Sequence, residues 1–181
     1  MKVTSVQRKT LLWQEIAALL KTKAIEPAPP GPGFCSLMFV IPKRNGGYRP
    51  IFNLKGLNQF LDAPRFKMET LQQVVHLICP NDWVTSCDLL DAYLHLLLSH
   101  HTRKYFQFRF DGQVFQFRTG GFGLSVMPYL FNKLCRPIRT WARRQGIRVT
   151  AYLDDWLILG STQAKAQRNT DLVLAKLREL G

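Results

Sequence analysis

Two short apolar runs, Val149 to Leu153 and Trp156 to Leu159, are separated only by Asp154-Asp155. Runs of this length, rich in β-branched and aromatic residues, read as strands, and so short a link joins them as a hairpin. The two acids are thereby held together at its tip, in an apolar neighbourhood. Adjacent like charges that are partly desolvated resist ionising together. Such a pair persists where a cation sits between the acids, or where water reaches them in a turn. The four residues Tyr152-Leu153-Asp154-Asp155 leave both readings open.

A second group of acids bears on the choice. Trp83 to Asp88 is a strand candidate ending on an acid, and Asp91 follows one helical turn later. If the two strands lie side by side, Asp88 and Asp154 project from neighbouring strand ends into one site. Carboxylate and water ligands suit Mg²⁺ or Mn²⁺, hard ions that bind substrate phosphates. Two such ions roughly 3.5–4 Å apart would clamp the attacking and leaving oxygens of a displacement at phosphorus. His95, His100 and His101 have no cysteine or acidic partners at ligand spacing, so zinc is not indicated.

Charge indicates the partner. The 181 residues carry 25 Lys and Arg against 12 Asp and Glu, a formal net charge of +13. With 46% hydrophobic residues the chain can build a core, which excludes a disordered basic tail and makes a polyanion the first partner to consider. Residues 1–60 hold nine basic and two acidic side chains, 61–120 hold six of each, and 121–181 hold ten and four. Basic regions flanking a segment that supplies acids suit a phosphate-binding cleft with a metal site at its centre. Cys35, Cys79, Cys87 and Cys135 form no C-x-x-C pair and read as reduced, mostly buried residues of an intracellular protein of the cytoplasm or nucleus. No apolar run approaches the ~18 residues of a membrane span, and no signal peptide is expected.

The remaining pattern predicts an α+β fold with an antiparallel sheet. Residues 5–24 place Leu12, Ile16, Leu19 and Leu20 on one helical stripe, and Pro27 to Gly33 is an extended connector. Ser36–Ile41 and Tyr48–Leu54 form a hairpin around Asn45-Gly46-Gly47; residues 68–78 are helical. Phe106, Phe108 and Phe110 alternate with polar residues, Asp111-Gly112 turns the chain, and Phe115 and Phe117 resume the alternation. A helix from Pro128, with Leu130, Phe131, Leu134, Ile138 and Trp141 as its apolar stripe, is expected to kink at Pro137 and end at Gly146. Arg136, Arg139, Arg143 and Arg144 crowd the same segment, and a last helix runs from about Thr162 to Leu180.

Together these segments resemble the reverse transcriptases. Trp83 to Asp88, followed by Leu89-Leu90-Asp91-Ala92-Tyr93, is similar to their first catalytic block. Gly121-Phe122-Gly123-Leu124-Ser125-Val126-Met127-Pro128 with Phe131 resembles the block that holds template and incoming nucleotide. Tyr152-Leu153-Asp154-Asp155 is similar to the Y-x-D-D hairpin, and Val40 to Pro50 with Asn53-Leu54 and Leu57-Asn58 to the fingers hairpin. Four blocks in order, over roughly residues 10–181, carry the resemblance. Phe66-Lys67-Met68-Glu69, Tyr93-Leu94-His95 and Arg144-Gln145-Gly146-Ile147 look most like the DIRS-type retrotransposon branch.

The resemblance implies a fingers-and-palm fold, with residues 1–82 mostly fingers, 83–181 mostly palm carrying a hairpin at 100–120, and an end before the thumb. It implies two Mg²⁺ or Mn²⁺ ions held by Asp88 and Asp154, with the backbone carbonyl of Leu89 and with Asp155 in support. It further implies that Lys43 and Arg49 contact the triphosphate, that Asp91 and Ala92 offer N–H groups to phosphate at a helix start, and that Tyr93 excludes a 2′-hydroxyl. Phe122 and Gly123 fall where the family holds nucleotide and template, and Gly123 allows close backbone approach. The implied activity is RNA-directed DNA polymerisation in retrotransposon replication, with deoxynucleoside triphosphates and a primed RNA or DNA template as partners. A silent remnant that only binds nucleic acid is the rival. A two-metal nuclease lacks a general base of its own and leaves the fingers hairpin and Tyr93 unexplained.

Overall fold

The computed structural model describes residues 5–42 and 48–180. The chain runs α1 (Ser5–Lys21), β1 (Ile25–Pro27), β2 (Cys35–Pro42), β3 (Tyr48–Asn53), α2 (Lys55–Asn58), α3 (Leu71–Leu77) and β4 (Trp83–Asp88). A 3₁₀ turn (Ala92–His95) leads to α4 (His100–Arg103), β5 (Gln107–Phe110), β6 (Gln113–Phe117), α5 (Met127–Arg144), β7 (Arg148–Tyr152), β8 (Asp155–Gly160) and α6 (Gln163–Leu180). These elements form two compact units, Met1–Asp62 with Tyr93–Met127, and Ala63–Ala92 with Pro128–Gly181.

In the first unit the alternating phenylalanines form the expected β5–β6 hairpin. Asp111 (φ 50°) and Gly112 (φ 80°) give the left-handed turn that matches strand twist. Phe108 lies opposite Phe115, and Phe106, Phe108, Phe115 and Phe117 are all buried. Phe52 of β3 joins them, its ring 5.0 Å from Phe108 and 4.9 Å edge-on to Phe117. Complete burial of one such ring is worth about 1.5–3 kcal/mol. The sheet order is β1-β6-β5-β2-β3. Its β2–β5 pair is parallel, joining Cys35 to Gln107 and Ser36 to Phe108, so this sheet is mixed rather than wholly antiparallel. The segment read as beginning a plain connector at Pro27 ends a short strand that pairs with β6. From α1, Leu12 and Ile16 are buried, while Trp13 packs edge-on to Phe110 at 5.3 Å. The turn Asn45-Gly46-Gly47 lies outside the described residues, and its flanking strands pair antiparallel from Leu37↔Asn53 to Pro42↔Tyr48.

The second unit is built on an antiparallel sheet in the order β4-β8-β7. α6 packs on β8 through Ala166, Asn169, Thr170 and Val173, and Asn169 Nδ2 donates to the Leu159 carbonyl at 2.8 Å. The last residue of β8 is Gly160, where a Cβ would run into the Ala166 backbone. α5 runs continuously through Pro137, and its buried stripe is Phe131, Cys135, Ile138 and Ala142. Leu130 and Leu134, expected in that stripe, are 38% and 48% exposed. The cysteines are also more open than expected: Cys135 alone is buried, Cys87 is half-buried, and Cys35 and Cys79 are exposed. Among the described residues no helix is long and apolar enough to cross a membrane.

Candidate active site

Of the acids singled out from the sequence, Asp88, Asp154 and Asp155 are brought onto adjoining backbone positions where β4 ends and the β7–β8 turn begins. Asp88 pairs across the ladder with Asp155, which itself pairs with Tyr152. Beyond that last rung the Leu89 N–H donates to the Asp154 carbonyl at 3.0 Å, fixing the backbones of the two acid-bearing segments to each other. Only Leu153 and Asp154 form the turn, because Asp155 is already the first residue of β8. Leu153 has φ 57°, a left-handed conformation that costs a non-glycine residue about 1–2 kcal/mol. Strain of this kind persists where the surrounding ladder dictates it, and it concentrates at functional turns. Asp88 and Asp155 are exposed and Asp154 is half-buried, so solvent and ligands reach all three. Behind the acids, Trp156 is buried, and burial pushes the neighbouring Cys87 thiol up, so it stays protonated.

Among the described residues no three His, Cys, Asp or Glu side chains gather as a ready-made metal cage. Mg²⁺ does not require one. It is usually held by one or two carboxylates, with waters and substrate phosphates filling its remaining positions. An Asp88–Asp155 rung with Asp154 adjoining it is a donor set of that type.

Asp91 is an exposed turn residue with φ 52°, and the helix expected to start there is the single 3₁₀ turn from Ala92 to His95. Any anion preference at this point therefore comes from local N–H groups, with little macrodipole behind them. In the other unit Tyr93 is buried, and its ring lies 4.9 Å from that of Phe122, which is 52% exposed. Gly123 has φ 93°, a left-handed conformation that favours glycine. Asn58, in the sequence one member of the fingers-hairpin block, holds this loop from both sides: Nδ2 donates to the Gly123 carbonyl at 2.8 Å, and Oδ1 accepts from the Ser125 N–H at 3.0 Å. No local sequence signal reveals a contact 65 residues apart. Lys43 lies outside the described residues; Arg49 sits in β3 opposite Ile41, and its side chain is likewise outside them.

Comparison with known proteins places the chain by family and fold. The sequence profile of the family described as "Reverse transcriptase (RNA-dependent DNA polymerase)" matches residues 41–181. The Transposon Tf2-3 and Tf2-7 polyproteins of Schizosaccharomyces pombe are 26% and 25% identical over 144 residues, 80% of this chain. The chain spans 11% of the length of these curated relatives. The crystal structure of a prototype foamy virus protease–reverse transcriptase mutant matches the fold with a TM-score of 0.85 at 16% identity, over 99% of this chain and 24% of that one. A foamy viral protease–reverse transcriptase in complex with dsDNA also matches with a TM-score of 0.85, at 15% identity, over 100% of this chain and 37% of that one. The fold is the α+β fingers and palm of those enzymes, and the chain belongs to the reverse transcriptase family.

Proposed function

We propose that this chain is an RNA-directed DNA polymerase domain, a nucleotidyltransferase that adds deoxynucleotides to a primer 3′-hydroxyl. The observation that carries the reading is the Asp88–Asp155 rung with Asp154 beside it, three acids at one end of the sheet with their backbones hydrogen-bonded together. Asp88 and Asp154 would hold Mg²⁺ or Mn²⁺, with the Leu89 carbonyl and Asp155 in support. When bound, two such ions supply neutralisation of the charge that develops on the attacking and leaving oxygens. In the reaction the primer oxygen forms its bond to the α-phosphorus of the deoxynucleoside triphosphate as the bond to pyrophosphate breaks, and the hydroxyl proton passes to water.

The chain's own groups position this exchange. Asp91 and Ala92 offer N–H groups to the triphosphate, and Lys43 and Arg49 offer it cations. Tyr93, held by its contact with Phe122, presents bulk to the sugar, and Gly123 lets backbone approach the nucleotide. The sequence suggests fingers over 1–82 and palm over 83–181; we instead assign the fingers to the first unit, which takes in 93–127 with its hairpin, and the palm to the second, and place the domain in retrotransposon replication, in the DIRS-type branch by the Phe66–Glu69 and Arg144–Ile147 sequences. The test is incorporation of deoxynucleotides on a primed RNA template with and without Mg²⁺. Metal-dependent extension is expected; salt-sensitive binding without extension would instead identify a binding remnant.

A further inference from the structure

β7 carries the acid-bearing turn but is the outer strand of its sheet, so among the described residues its outward backbone groups have no neighbouring strand. An edge in that position can shift or fray unless something else occupies it. Side chains from elsewhere in the same unit occupy it here. The Ala151 N–H donates to Glu69 Oε2 at 3.3 Å, the Ala151 carbonyl accepts from Arg139 Nη1 at 3.1 Å, and the Val149 carbonyl accepts from Arg143 Nη2 at 2.8 Å and Nε at 3.2 Å. Thr150 Oγ1 also donates to Glu69 Oε2.

Glu69 is the hub of this seal. Its Oε1 accepts from Arg143 Nη2 at 2.5 Å and lies 3.8 Å from Arg139 Nη1, so one carboxylate balances both guanidinium groups that cap the strand. Arg139 is buried, and a buried cation tolerates that position only while its charge is compensated. Burial works to raise the Glu69 pKa, but the Thr150 hydroxyl and the Arg143 and Arg139 charges outweigh it and hold the carboxyl below its ordinary value. The hub is thus ionised wherever the enzyme would work.

We infer that Glu69 is a positioning residue for the acid turn: by pinning Ala151, three residues before Asp154, it fixes where that turn places its carboxylates. The inference rests on the polymerase reading for its consequence in catalysis, and on the hydrogen-bond geometry alone for the pinning.

The test compares Glu69→Gln, which keeps the shape but loses the charge, and Thr150→Val, which loosens the hub without uncovering a cation, with Asp82→Asn. Asp82 anchors only the start of β7, through two bonds to Arg148. Amide hydrogen exchange at residues 151–155 is measured first and needs no activity. Glu69→Gln should speed it at least tenfold and Thr150→Val less, while Asp82→Asn lowers Tm and leaves it near wild type. Single-nucleotide incorporation should then show kcat down ten- to hundredfold in Glu69→Gln at unchanged KM, and near wild type in Asp82→Asn. Unchanged exchange at 151–155 in both hub variants overturns the pinning. Faster exchange with undiminished kcat overturns the positioning role. A wild-type chain that fails to extend at all counts against the polymerase reading, and the exchange result still decides the pinning.

Discussion

Tyr93 has the burial of a core aromatic, yet its ring leans on Phe122, a large apolar residue left 52% exposed. A purely structural tyrosine would be expected to sit among covered neighbours. Replacing it by Ala should raise kcat/KM for ribonucleotides relative to deoxynucleotides by about tenfold or more, the range that one steric contact in a pocket can supply. The ratio is insensitive to how much variant folds, and Tyr93→Phe should leave it unchanged. An unaltered ratio in Tyr93→Ala would return the residue to the core. At this scale the sequence was informative where chemistry makes a residue costly. Adjacent acids in apolar surroundings, and a glycine at φ 93°, leave marks in the sequence that do not depend on distant partners. Asn58 and Glu69 leave none, because an ordinary polar residue acquires its meaning only when a segment 65 or 81 positions away folds against it.

Elements defined by local pattern were equally legible. The Phe106–Phe117 alternation and the Asp111-Gly112 turn specify their hairpin without outside help, and Trp83–Asp88 is a strand with the expected limits. Three-residue β1 carries no local signal because its ladder partner, β6, is some ninety residues away, as the Glu26↔Gln116 rung shows. In α5 both leucines and the small residues beside them could have formed the stripe, and packing chose Cys135 and Ala142 over Leu134. β1 also carries Glu26, which accepts from the buried Arg103 at 3.1 Å and from Gln116 at 2.8 Å, with Arg118 3.5 Å away. Burial would raise the Glu26 pKa, but Gln116, Arg103 and Arg118 together hold it below its ordinary 4.5. A carboxyl with a lowered folded-state pKa stabilises fully above its unfolded pKa and loses that contribution as pH falls through the folded value. Glu26→Gln should therefore cost about 1–2 kcal/mol at pH 7, a moderate figure because Glu26 keeps 29% exposure. The variant should also lose less stability than wild type below pH 4.5. Denaturant melts at pH 7 and pH 3.5 check this, and parallel pH profiles for the two proteins would refute it.

Across the whole molecule, the +13 charge indicated a polyanionic partner, but the sequence did not separate the cations that could meet phosphate from those committed to the fold. In the arginine-rich segment Arg139 and Arg143 serve Glu69 and the edge of β7, and Arg148 serves Asp82. Lys133 and Arg136, exposed on α5, line a groove of about 520 Å³ with Lys67 and are the better candidates for phosphate contact. Lys133→Gln and Arg136→Gln should each weaken primer–template binding uniformly across sequences and reduce the slope of log K against log salt by about 1. Arg148→Gln should destabilise the fold without changing that slope, and equal slopes in all three variants would refute the division.

The proposed chemical site of the polymerase is Asp88 with Asp154. Its decisive test is Mg²⁺-dependent addition of one deoxynucleotide to a primed RNA template, by wild type and by Asp88→Asn and Asp154→Asn, each saturated with primer–template by its own binding curve. Each change removes one carboxylate charge at nearly constant volume. The predicted result is addition by wild type, a loss on the order of at least 10² in rate for either variant, and binding curves that coincide. Comparable addition by wild type and either variant at equal occupancy would contradict the assignment.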